Sequence, residues 1–197
     1  WGYYYSNARV HLVSDSGNNR IKKCWTNSSG TSLLRCSVSA GVGTVSDNEY
    51  WGHPRTLAGQ LHSASGMAWL GSKNRLLVSD TPNTRINMYD SSGTYQGRFP
   101  GTNISYGVTG IATFNDPNIG EGVAVLVGAD ATLPWPYTGD ASLRIYDADG
   151  NLEELFNLSY RTGGLSAPEI GLSTSNTNYP VSVSVHGEGG DEHAVYI

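Results

Sequence analysis

Five histidines, two acidic clusters and a group of loop aromatics are the residues of this chain whose types could do chemistry. His11, His53, His62, His186 and His193 could ligate zinc or act as general bases, because imidazole titrates near neutrality. None of them recurs at matched positions of the repeated segments described below. A lone histidine in a strand is ordinarily a hydrogen-bonded packing residue, and that is the reading adopted for them. Asp147-Ala-Asp149-Gly150-Asn151, followed by Glu153 and Glu154, resembles an oxygen-rich calcium loop. Its glycine falls too early for that pattern, and Asp-Gly between strands is a common hairpin sequence, so a turn is expected. Asp191-Glu192-His193 reads as a solvated acidic cluster. The sequence has no Gly-x-Ser-x-Gly nucleophile motif, no phosphate-cradling glycine loop with lysine and no paired-cysteine zinc ligands. Dispersed active sites escape such motifs, so these absences lower the expectation of an enzyme without removing it.

The aromatics are more suggestive. Tyr50, Trp51 and His53 precede Pro54, and Trp135 and Tyr137 flank Pro136, so both groups sit in proline-stiffened connections. Exposed aromatics on rigid loops stack on sugar rings or anchor protein partners, though they can equally fold back as local loop cores. The run Tyr3-Tyr4-Tyr5 reads as strand packing.

These residues must be positioned by strands. Gly 25, Tyr 12 and Trp 5 with only 15% charged residues in 197 indicate a turn-rich all-β chain long enough for one sizeable domain. A net charge of -5 argues against nucleic acid or an anionic membrane as main partner. No apolar run approaches the roughly 20 residues needed to span a bilayer.

One stretch carries the organisation, residues 75–99. Leu76-Leu-Val78 is a short apolar run of the kind buried on both faces, and Asp80-Thr-Pro-Asn83 breaks it with turn formers. Residues 85–89 alternate apolar and polar, the period of a half-buried strand, and Asp90-Ser-Ser-Gly93 turns the chain into a further strand at 95–99. The same grammar appears in Val10-His-Leu-Val-Ser-Asp15-Ser-Gly-Asn18-Asn-Arg20-Ile21, with Asp, Asn and Arg at identical offsets.

This core, Leu-Val-Ser-Asp-x-x-Asn-x-Arg-Ile, and the aromatic-Asp-x-x-Gly turn that follows its second copy resemble the NHL repeat, a four-stranded blade of a β-propeller. The resemblance implies an all-β propeller with blades around a central channel, innermost strand first. Four blades are expected, at about 1–38, 66–99, 107–156 and 168–197. The family braces its corner with the Asp and Arg, so Asp15 with Arg20 and Asp80 with Arg85 are expected to be structural. In the third segment Asp130 stands in the Asp position, an insertion follows, and Ser142 stands where Arg should. In the fourth, His186-Gly-Glu-Gly-Gly-Asp191 replaces the corner altogether. The family topology puts Tyr50, Trp51 and His53 on the same side as Trp135 and Tyr137.

With residues 21–25 and 33–38 as third and fourth strands of one blade, Cys24 and Cys36 face each other across a hairpin. A disulfide is expected there, two buried thiols being the alternative. Three sequons, at Asn27, Asn103 and Asn157, agree with an extracellular, glycosylated protein, as does a chain that begins at Trp1 without Met. The fourth blade ends without a last strand, leaving an edge that a neighbouring subunit would complete; a fragment or a frayed four-blade ring is the simpler reading. The expected function is a non-catalytic secreted scaffold that binds protein or glycan and serves as the repeating subunit of an extracellular fibre, with no cofactor. The alternative is a propeller hydrolase or lyase with calcium or zinc in the channel.

Overall fold

The computed structural model describes residues 8–41, 58–101, 107–127, 142–157, 184–187 and 193–196. These residues form antiparallel β-sheets. Sheet I comprises β1 (Arg9–Asp15), β2 (Arg20–Thr26) and β3 (Leu33–Ala40), in that spatial order. Sheet II follows with β4 (Ala64–Leu70), β5 (Arg75–Asp80), β6 (Arg85–Tyr89) and β7 (Tyr95–Arg98). Sheet III has β8 (Val108–Asp116), β9 (Gly120–Val127), β10 (Ser142–Asp147) and β11 (Leu152–Asn157), again in sequence order across the sheet. A two-stranded sheet IV pairs β12 (Ser184–Gly187) with β13 (His193–Tyr196).

The strands expected from the repeat form within a few residues of their expected bounds. β3 begins at Leu33 as expected and runs on past 38 to Ala40, because Ala40 pairs with Ile21 and is buried against sheet II. The strand expected at 181–186 is described from Ser184, and its first three residues lie outside the described residues. The expected first strands at 1–6 and 169–174 lie outside the described residues.

Consecutive sheets pack face to face, and the parity of the strands explains how. In β5, Leu76 and Val78 point one way, into a cluster with Ile21 and Ala40 of sheet I, Tyr89, Ala64 and Leu61. Leu77, between them, points the other way, into a cluster with Leu70, Ile86 and Phe99 of sheet II and Val108, Ile111, Val123, Val125, Val127 and Tyr146 of sheet III. A middle sheet covered on both sides must be apolar at consecutive positions, which is why residues 76–80 are all buried. Each fully buried Leu or Val here contributes roughly 1.5–3 kcal/mol through removal of apolar surface from water. The far face of sheet III gathers Ala124, Leu126, Leu143 and Phe114, and β12 packs against β8.

Two joints between sheets have the same construction. The Asp90–Gly93 turn of sheet II brings Gly93, at φ +87°, against the backbone carbonyl of Ser39 at the end of β3. The matching turn of sheet III brings Gly150, also at φ +87°, against the backbone of Pro100 just after β7. A side chain at either glycine would need both a left-handed backbone and space that the carbonyl occupies. Polar contacts reinforce the joints. The Ser63 amide donates to Asn19 Oδ1 (2.8 Å) between sheets I and II, and Glu121 accepts from the amides of Gly71 and Ser72 (2.7 and 2.6 Å) between sheets II and III.

Candidate functional site

The most elaborate polar cluster is the corner of sheet II. After β5, Thr81–Asn83 make one turn of 3-10 helix with Pro82 in its first turn, and Thr84 closes it in the left-handed region at φ 51°. That geometry returns the chain so that Asp80 and Arg85 sit directly opposite each other in the β5–β6 ladder. Arg85 Nε donates to Asp80 Oδ2 at 2.7 Å, and both side chains are essentially buried, at 4% and 0% exposure. Asn83 Nδ2 donates to both carboxylate oxygens (3.0 Å), and the His62 amide donates to Oδ1 (2.7 Å). Arg85 and Asn87 then both donate to the Gln60 carbonyl (2.9 and 3.0 Å), while the Tyr89 hydroxyl donates to the Gly59 carbonyl (3.0 Å). The corner therefore sutures sheet II to the segment 59–62. Burial, and secondarily the nearby Asp80 charge, raises the Tyr89 hydroxyl well above the ordinary phenol range.

The corner of sheet I repeats this in a more open form. Asp15 accepts from Arg20 Nε (2.8 Å), Asn18 Nδ2 (2.8 Å) and Lys22 Nζ (3.0 Å), with Asn19 left-handed at φ 56°. Burial pushes this carboxyl up, but the donors from Arg20, Asn18 and Lys22 outweigh it and hold its pKa at about 2. In sheet III the ladder position held by the Asp–Arg pair elsewhere is occupied by Val127 opposite Ser142. The expected corner residue Asp130 lies outside the described residues. A valine facing the buried Ser142 needs no cation, which accounts for the missing arginine.

The remaining sites separate. Cys24 and Cys36 form a disulfide between β2 and β3, with Cα atoms 4.1 Å apart. Asn27 heads the β2–β3 turn: its Oδ1 accepts from the amides of Thr31 (2.9 Å) and Ser32 (3.2 Å), and the Gly30 amide donates to its carbonyl. Asp90 and Asp147 play the same part in the turns of sheets II and III, each accepting two amides through Oδ1. For Asp90 the Ser92 hydroxyl, and for Asp147 the Asn151 amide, is the main donor that lowers the carboxyl pKa. Asp147 is thus spent on its own turn. Asn157 ends β11 opposite Ser142. Tyr50, Trp51, His53, Trp135, Tyr137 and Asn103 lie outside the described residues.

His11 shares a hydrogen bond with Thr26 Oγ1 (3.1 Å). Among the described residues no group of three or more His, Cys, Asp or Glu could hold a metal ion. A cleft of about 430 Å³ opens between the end of β3 and the β6–β7 pair, lined by Val38, Ser39, Gly59, Gln60, Tyr89 and Tyr95 among others. No Asp, Glu, His, Lys, Arg or Cys lines it, and the Tyr89 hydroxyl is already committed to Gly59.

Sequence reasoning missed three features. Asn87 belongs to the buried corner network, a signal present in its place two residues after Arg85. Asn27 stands where the later turns have Asp, which the shared Ser-Ser-Gly that follows both Asn27 and Asp90 could have disclosed. Trp25 carries the Arg35 guanidinium 4.2 Å above its ring and Lys23 at 5.6 Å, a cross-strand stack that the Trp25–Arg35 pairing places together.

No protein-family model matches the chain, and no curated protein matches it. Among solved structures it is similar to one described as "Structure of U3-55K", at 15% identity and a TM-score of 0.37 over 77% of this chain. The chain spans 42% of the length of that one. A likeness that distant carries no argument about function.

Proposed function

We propose that the protein is a non-catalytic extracellular scaffold, built as an NHL-like propeller of four blades, that associates with further copies of itself and with protein or glycan partners. Sheets I, II and III serve as consecutive blades, and sheet IV belongs to the fourth. The observation that carries the reading is where polar and apolar groups are spent. The buried ionic corner at Asp80 is saturated by donors from its own chain, whereas sheet I leaves Val13, Leu33 and Val38 at 44%, 66% and 46% exposure. Chemistry needs polar groups aimed at open space; association needs apolar surface there, and the described residues favour the second.

The Cys24–Cys36 disulfide supports an oxidising compartment, and no helix of the described residues is long and apolar enough to cross a membrane. Asn27, in the β2–β3 hairpin turn, is on this reading a glycan acceptor. Sedimentation of the purified full chain across a concentration series tests the reading. Species heavier than one chain, growing with concentration, are expected; a single-chain species throughout, with stoichiometric bound zinc or calcium, would replace the scaffold by an enzyme.

A further inference from the structure

Charge is distributed unevenly along this chain. Residues 8–41, which form sheet I, hold Arg9, Arg20, Lys22, Lys23 and Arg35 against the single carboxylate of Asp15. The described residues of sheet III and its turns hold six carboxylates, Asp116, Glu121, Asp147, Asp149, Glu153 and Glu154, against the single cation of Arg144. An acidic protein overall thus has one basic sheet and one strongly acidic one.

The outer strands of these sheets express that difference at unpaired edges. β3 closes the order of sheet I and β11 closes that of sheet III, so among the described residues each presents backbone donors and acceptors with no strand beyond. On β3, Leu33 is 66% exposed and lies two residues from Arg35, whose guanidinium is held in place above the Trp25 ring while the residue stays exposed. On β11, Leu152 and Leu155 are 51% and 53% exposed and bracket Glu153 and Glu154, which make no ion pair among the described residues. β7, the outer strand of the middle sheet, is different. It reads Tyr95-Gln-Gly-Arg98 and carries no large exposed apolar residue. Its polar side chains and its left-handed Gly97 are the ordinary guard of an edge. Guarding an edge requires charge but not the two exposed leucines beside it. Apolar residues interleaved with charge of opposite sign on two different edges is the pattern of complementary surfaces.

We propose that the cationic β3 edge of one copy docks against the acidic β11 edge of a second copy, Arg35 meeting Glu153 and Glu154 while Leu33 packs beside Leu152 and Leu155. This deepens the self-associating reading above and rests on it. The two edges belong to one chain and differ from each other, so the contact is heterologous: each docked copy still offers the other edge, and association propagates instead of stopping at a dimer. Charge complementarity picks the partner and direction, because β3 against β3 or β11 against β11 sets like charges together.

The test uses charge reversal in the full chain, read by sedimentation velocity, with circular dichroism and thermal melting to establish that each variant is folded. Arg35→Glu gives a copy with two acidic edges, and Glu153→Lys with Glu154→Lys gives a copy with two basic ones. Each alone is expected to need at least about tenfold higher concentration to form multimers. Mixed in equal amounts, the two should recover assembly, because each edge then finds its opposite. Raising salt from 0.1 to 1 M should weaken wild-type assembly as the screening length falls from about 10 to about 3 Å. If Arg35→Glu melts early through loss of the Trp25 stack, Leu33→Glu places the acid on the same edge at an exposed position. Wild-type assembly that both folded variants share, or variants that fail even when mixed, overturns this docking mode and leaves self-association standing. A wild-type chain that never associates overturns both.

Discussion

At the scale of single residues, exposure separates two ion pairs of identical sequence grammar. Asp80 and Arg85 are buried, so Asp80→Ala strands a guanidinium in the interior, and about 3–5 kcal/mol of stability should be lost in chemical denaturation. Asp15 and Arg20 are more open, at 19% and 14% exposure, and Asp15→Ala should cost less than Asp80→Ala. The acid limb of stability follows from the same groups. The Asp15 carboxyl titrates at about 2 in the folded chain against an ordinary 3.8. Its contribution is therefore complete above pH 3.8 and disappears as pH falls to about 2, since the unfolded chain takes up the proton first. Asp90, Asp147 and Glu121 are shifted in the same direction, so the melting temperature should fall together with pH below about 4 and stay flat through neutrality on their account. A pH series of thermal melts reads this directly. The Asp–Arg pairing was legible through the resemblance of these corners to the NHL repeat, which implies that brace. The contacts from Gln60 and the His62 amide were not, because they arrive from a connection whose path no local pattern specifies.

At the scale of elements, the recurring hairpin turn makes a graded prediction. Gly93→Ala and Gly150→Ala place a methyl against a neighbouring sheet's backbone at positive φ and should each destabilise by roughly 1–3 kcal/mol. Gly30→Ala, at φ +76° but with nothing nearer than Arg9 at 3.7 Å, should cost only about 1 kcal/mol. Equal losses at all three would show that backbone conformation alone matters and that the joints contribute nothing. Removing the disulfide, which closes a separation of 12 residues, should cost about 2–3 kcal/mol. Leu77→Ala, opening a cavity between sheets II and III, should cost about 2–5 kcal/mol. Strand positions were readable because alternation and turn formers are local. Which face of a strand meets which neighbour was not, since Leu76, Leu77 and Val78 are equally apolar and only the packed sheets distinguish them.

At the scale of the whole molecule, the sheets stack in chain order, and among the described residues the outer strands of the first and third have no further strand paired to them. The exposure of Leu33, Leu152 and Leu155 on those strands, beside corner ions saturated from within the chain, is what the proposed association rests on. The all-β character came through composition and turn signals, since 25 glycines among short apolar runs leave little room for helices. The basic and acidic halves were equally present in the sequence, but their meaning depended on which strands end up at sheet edges, and only the strand order supplies that. The most direct measurement is projection imaging of the native particle at low salt, in which many chains joined in a repeating head-to-tail array are predicted. Uniform particles one chain in mass, each with a metal bound at its hub, would contradict the account.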